Sequence, residues 1–145
     1  MRTLIRHCRI ISPGIDILEG FLILLDDKIE EVGHGNVSGT FDQVISAENL
    51  IAAPGFIDIH SHGRSNCDFC DISPEAFATI GRDKRKDGVT GFFATSLSVS
   101  MDDLREFSRQ SEHYKRNVAD GASLLGVHLD CLLYTSPSPR DRTRS

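Results

Sequence analysis

The chain has 145 residues, 39% of them hydrophobic and 26% charged, with a formal net charge of −5. That length suffices for an ordinary domain with its own core, and the acidic balance argues against nucleic acid or an anionic membrane surface as partner. The opening Leu4-Ile5 pattern lacks the basic start and cleavage site of a secretory signal, and the longest aliphatic or aromatic run, Phe21 to Leu25, is too short for a bilayer span. A cytoplasmic location is expected.

Residues 1–53 read as short strands. Thr3 to Ile11, Gly20 to Leu25, Lys28 to Val32 and Gln43 to Ala52 are rich in Ile, Leu, Val and Phe. Ser12-Pro13-Gly14, Asp26-Asp27 and Gly33-His34-Gly35 separate them as turns. The expected product is part of a small β-sandwich.

The pattern changes at Pro54-Gly55. Phe56 to His60 is a buried-strand candidate. Ser73-Pro74-Glu75 then opens a helix, with Ser as cap, Pro at the first turn and an acid at the positive end; Gly88 closes it. Val89 to Ala94 is a second strand, Ser100-x-x-Asp103 opens a second helix, and Leu124 to Leu129 is a third strand. These strands begin near residues 55, 89 and 124, a repeat of 34 and then 35 residues. Strand and helix alternating at that period describe βα units of a parallel sheet, with Ile57 and Ile59 expected to pack on the helices.

The expected fold class is α/β: a partial (β/α)8 barrel over residues 54–130, preceded by the sandwich piece. A closed barrel needs about 250 residues, so most of it would lie outside this chain. From Cys131 onward the segment CLLYTSPSPRDRTRS loses all periodicity. Residues 131–145 are expected to be disordered and foreign to the fold, as run-on translation would be.

The chemistry concentrates in Pro54-Gly-Phe-Ile-Asp-Ile-His-Ser-His62-Gly63. Side chains alternate along a strand, so His60 and His62 share a face, about 6.6 Å apart at twice the strand rise. Converging imidazoles can then hold one metal ion; two packed histidines are the plainer alternative, and the apolar strand ending at Gly63 favours ligation. His128 and Asp130 likewise share a face at the end of the third strand, and Asp130 is a candidate third ligand or simply a charge at a strand end. Cys67-x-x-Cys70 has no second pair to complete a zinc site and reads as two loop or packing thiols. His7, His34 and His113 read as ordinary solvated or packed residues.

In order and spacing, PGFIDIHSHG, CDFCD, GVTGFFATSLS and LLGVHLD resemble the N-acetylglucosamine-6-phosphate deacetylases, over residues 1 to about 130. The His-x-His strand alone is shared with wider amidohydrolases such as dihydroorotases and hydantoinases; the Gly-Val-His-Leu-acid strand and Asp68-x-x-Asp71 favour the deacetylase. The resemblance implies a sandwich built from both chain ends plus a (β/α)8 barrel. It implies a divalent metal, zinc first with iron, manganese or cobalt as alternatives, held by His60, His62 and Asp130. Asp130 stands where the family places a Glu, one methylene longer. The acid–base Asp, further metal histidines and phosphate-binding groups are expected beyond this chain, so it would be inactive by itself. Implied partners are a small phosphorylated amino sugar and, at full length, further copies of the chain. The alternatives are another amidohydrolase, such as a cyclic-amide hydrolase, or an inert fragment or scaffold.

Overall fold

The structure, a computed structural model, describes residues 1–130 and divides into two compact units, Met1–Pro54 and Gly55 onward. The expectation for residues 131–145 lies outside the described residues.

The first unit is one five-stranded mixed sheet. Strands β1 (Arg2–Ser12), β2 (Ile15–Leu25) and β3 (Lys28–His34) form an antiparallel meander, and β4 (Gln43–Ser46) and β5 (Ile51–Ala52) pair parallel to β1. Two turns set the meander. Gly14 takes a φ of +77°, and Asp26 takes +54° where the favoured glycine is absent. The expected single strand Gln43 to Ala52 is two strands instead, because the chain turns at Asn49, whose φ is +63°.

One irregularity in β1 sorts the side chains of this sheet. The register with β2 jumps between Arg6 and Cys8, leaving His7 as an extra residue with φ +62°. An inserted residue flips the alternation. Leu4 therefore packs with Phe21 and Ile23 on one face, under Val37 and Phe41. Cys8 and Ile10 pack with Ala47, Ile5 and Leu22 in a separate cluster. Both faces thus carry apolar residues, and several of them, Ile29, Val44 and Ile51 among them, remain exposed.

The second unit carries a three-stranded parallel sheet in the order β10 (Ser123–Leu129), β9 (Val89–Ser96), β6 (Phe56–Ser61). Between β6 and β9 lie a short hairpin, β7 (Gly63–Arg64) and β8 (Cys67–Asp68), a turn of 3-10 helix at Phe69–Asp71, and helix α1 (Pro74–Lys86). Helix α2 (Met101–Asn117) joins β9 to β10. The helix ends follow local chemistry. The Ser73 hydroxyl accepts from the Ala76 amide at 3.1 Å, the Ser100 hydroxyl from the Asp103 amide at 3.1 Å, and Gly88 leaves α1 with a φ of +81°.

Both helices cover one face of this sheet. Phe69, Phe77, Ile80, Phe92, Ala94, Phe107, Tyr114 and Leu124 make one buried cluster there. Gly81 is required by close approach: an added Cβ would stand 1.9 Å from the Tyr114 hydroxyl, which donates to the Ala122 carbonyl at 2.6 Å. That bond ties α2 to the entry of β10. The opposite face stays open, with Ile57 and Leu125, which meet over Gly91, 56% and 45% exposed. Among the described residues no helix is long and apolar enough to cross a membrane.

The expectation that Ile57 and Ile59 pack on the helices is corrected here. They are 56% and 69% exposed, and the helix-facing residues of β6 are Asp58 and Ser61. The register explains it. Asp58 pairs with Phe92 and Ser61 with Ala94, so three steps along β6 answer two along β9. Phe92 and Ala94 belong to the helix-side cluster, and parallel partners face the same way. The inserted residue puts Ile57 on the same open face as the histidines.

Candidate metal centre

The centre forms where β6 and β10 end. His60 and His62 leave β6 on either side of Ser61, and their rings stand 5.0 Å apart, nearly perpendicular. Asp130 follows β10 directly, and its Oδ2 lies 3.6 Å from His62 Nε2. One donor atom from each of His60, His62 and Asp130 falls within 4.8 Å of the others. The three residues singled out from the sequence are thus brought together from strands that are not adjacent, across the end of β9.

His128 stands beside them without being one of the three. Its ring is 4.9 Å from that of His60, and its Nδ1 faces the Ile59 carbonyl at 3.4 Å. His60 is exposed, while His62 and Asp130 are half-buried. His62 Nδ1 is buried and has no hydrogen-bond partner among the described residues. An orphaned ring nitrogen within a cluster of two imidazoles and a carboxylate is what a borderline divalent ion accepts as a donor set.

The neighbouring acidic and thiol groups have structural work. Asp68 accepts from the Cys70 amide at 2.7 Å, and Asp71 accepts from the Asp68 amide at 2.7 Å, a reciprocal cap on the 3-10 turn. The His62 carbonyl accepts from the Phe69 amide at 2.8 Å, so this turn also holds the end of the histidine strand. Cys70 Sγ accepts from the Leu97 amide at 3.2 Å, and burial pushes its thiol above the usual value. Cys67 and Cys70 are free.

Behind the histidines lies an ion pair that the sequence pattern hid. Lys84 Nζ donates to Asp58 Oδ2 at 2.6 Å and to Ser61 Oγ at 2.8 Å. Burial works to raise the Asp58 carboxyl, and the bonds from Lys84 and the His60 amide outweigh it, leaving it below the usual value. A signal existed. Phe77, Ile80 and Lys84 fall at i, i+3 and i+7, so a lysine occupies a core position of α1, while an acid interrupts an apolar strand.

Two curated relatives and one solved structure are similar to this chain. The chain is 31% identical over 105 residues to an N-acetylglucosamine-6-phosphate deacetylase of Lysinibacillus sphaericus, a match covering 72% of this chain and 27% of that one. It is 27% identical over 131 residues to the enzyme of that name from Bacillus subtilis, covering 88% and 33%. A crystal structure of N-acetylglucosamine-6-phosphate deacetylase from Pasteurella multocida superposes with a TM-score of 0.78 at 19% identity, over 99% of this chain and 41% of that one. No family model matches the chain.

Parallel βα units with a His-x-His sequence closing the first strand, in this company, define an amidohydrolase. The chain spans between about a quarter and a third of the length of the two curated relatives. Within that class it belongs to the N-acetylglucosamine-6-phosphate deacetylase family.

Proposed function

We propose that the whole protein hydrolyses the acetamide of N-acetylglucosamine 6-phosphate to glucosamine 6-phosphate and acetate, and that His60, His62 and Asp130 hold a divalent metal, zinc first, for that reaction. The observation that carries the metal reading is the convergence of the three donors within 4.8 Å beside an orphaned His62 Nδ1. Two ligands at about 2.0–2.1 Å from one tetrahedral ion stand roughly 3.4 Å apart, so the cluster draws in slightly on binding. His60 is exposed and free to make that movement.

When bound, such an ion polarises a carbonyl and supplies hydroxide near neutral pH. The contribution of this chain is geometric. Its two imidazoles and one carboxylate fix the position on the strand ends, and the buried side of His62 excludes water there. The Asp130 carboxylate, one methylene shorter than Glu, lies close enough to His62 to share a ligand shell. The acid–base carboxylate and the phosphate-binding groups belong to a longer chain.

In architectural terms, residues 54–130 are proposed as the first units of a (β/α)8 barrel, and residues 1–53 as part of a sandwich. The open face of the parallel sheet, with the centre at the carboxyl ends of its strands, supports this reading. Free Cys8, Cys67 and Cys70 suit a reducing, cytoplasmic setting. The test is acetate release from N-acetylglucosamine 6-phosphate by the full-length gene product. Release that vanishes in a His60→Ala/His62→Ala variant supports the proposal. Unchanged release in that variant refutes the ligand assignment, and turnover of a cyclic amide instead refutes the substrate.

A further inference from the structure

Among the described residues, Lys84 is the one charged side chain in the buried core, 4% exposed. An ammonium so placed is costly unless it is closely paired. Its partners are Asp58 at 2.6 Å and Ser61 at 2.8 Å, with the Phe92 ring centroid 5.7 Å from Nζ. A buried pair of this kind is weak support for stability, since apolar replacements of both partners are often neutral or stabilising. Its position is more informative than its strength.

Asp58 and Ser61 are the two ends of the irregular stretch of β6, and His60 lies inside it. An inserted residue leaves backbone amides without ladder partners. Here side chains take them: the His60 amide donates to Asp58 Oδ1 at 3.2 Å, and the Ser61 amide to Thr95 Oγ1 at 3.0 Å. Lys84 grips both ends of the stretch from α1, which is itself fixed by its Ser73 cap and by buried Phe77 and Ile80.

We infer that Lys84, Asp58 and Ser61 form a positioning clamp that holds the backbone around His60 so that His60 and His62 converge on one ion. The clamp sets metal affinity; the fold does not depend on it. It rests on the metal reading proposed above. Groups that orient ligands without touching the metal commonly govern affinity by about ten- to a hundredfold.

The experiment is a Co2+ titration of the 145-residue chain, followed by its visible absorption, with thermal unfolding of the metal-free protein measured alongside. Lys84→Met/Asp58→Leu removes both buried charges together and avoids stranding either. It is expected to raise the Co2+ dissociation constant at least about tenfold while the melting midpoint stays near that of the parent. Ser61→Ala, which removes only one of the bonds to Lys84, is expected to raise it about threefold and serves where the double variant does not fold. His62→Ala tests the metal reading itself. Loss of binding in His62→Ala, with parental affinity in a folded double variant or in Ser61→Ala, overturns the clamp alone. Parental affinity in His62→Ala overturns the metal reading and the clamp with it.

Discussion

Replacing Tyr114 with Phe isolates one bond that ties α2 to the start of β10. The ring packing survives, with Phe92 at 5.7 Å between centroids, and only the hydroxyl bond to the Ala122 carbonyl is lost. Ala122 is 3% exposed, so water does not readily replace that donor. Stranding a buried acceptor costs about 1–3 kcal/mol. With a urea dependence of about 1–3 kcal/mol per molar, the midpoint at pH 8 is expected to fall by roughly 1 M. The same residue carries a pH signature. Burial, then the nearby Asp120 charge, pushes the Tyr114 hydroxyl from 10.0 up to about 12, against a smaller opposing effect of Arg82. The unfolded tyrosine therefore releases its proton first. The contribution is complete below pH 10 and is lost as pH rises toward 12, at about 1.4 kcal/mol per unit and at most about 2.7 kcal/mol in all. Comparing urea midpoints of parent and Tyr114→Phe at pH 8 and pH 11 cancels the other titrating groups. The gap between them should narrow at pH 11. Equal midpoints at pH 8, or a gap that is the same at both pH values, refutes the assignment.

Ser73→Ala removes the acceptor for the Ala76 amide and is expected to lower stability by about 1 kcal/mol in a denaturant titration. Phe77→Ala empties a fully buried position between Phe69 and Phe107 and is expected to cost about 3–5 kcal/mol, read as a large loss of cooperative unfolding. Asp16→Ala breaks the exposed Arg9 pair and is expected to change stability by less than about 1 kcal/mol.

Much of the second unit was legible because its signals are local. Ser73, Ser100 and Gly88 mark helix ends by chemistry within a few residues, and the parallel order of β6, β9 and β10 followed from the strand repeat. What alternation alone missed traces to inserted residues. The extra residue in β6 turned Ile57 toward the open face and Asp58 toward the helices, and the one at His7 split the first sheet's apolar residues between two faces. A bulge shifts phase without leaving a sequence mark. The β7–β8 hairpin was also missed, since Ser65 and Asn66 reach its turn with φ of +56° and +60° and no glycine between them. At the centre, the strand-end placement of His60, His62 and Asp130 could be read from spacing. The Lys84–Asp58 pair could not, because its partners are 26 residues apart and join only when α1 packs on the sheet.

The most direct measurement is X-ray absorption at the zinc edge of the zinc-loaded 145-residue chain, with the His60→Ala/His62→Ala variant beside it. Ligation by His60, His62 and Asp130 gives nitrogen and oxygen neighbours at about 2.0–2.1 Å, an imidazole scattering pattern and no sulfur, all lost in the variant. A sulfur neighbour at about 2.3 Å, pointing to Cys67 and Cys70, or a spectrum unchanged in the variant, would contradict it.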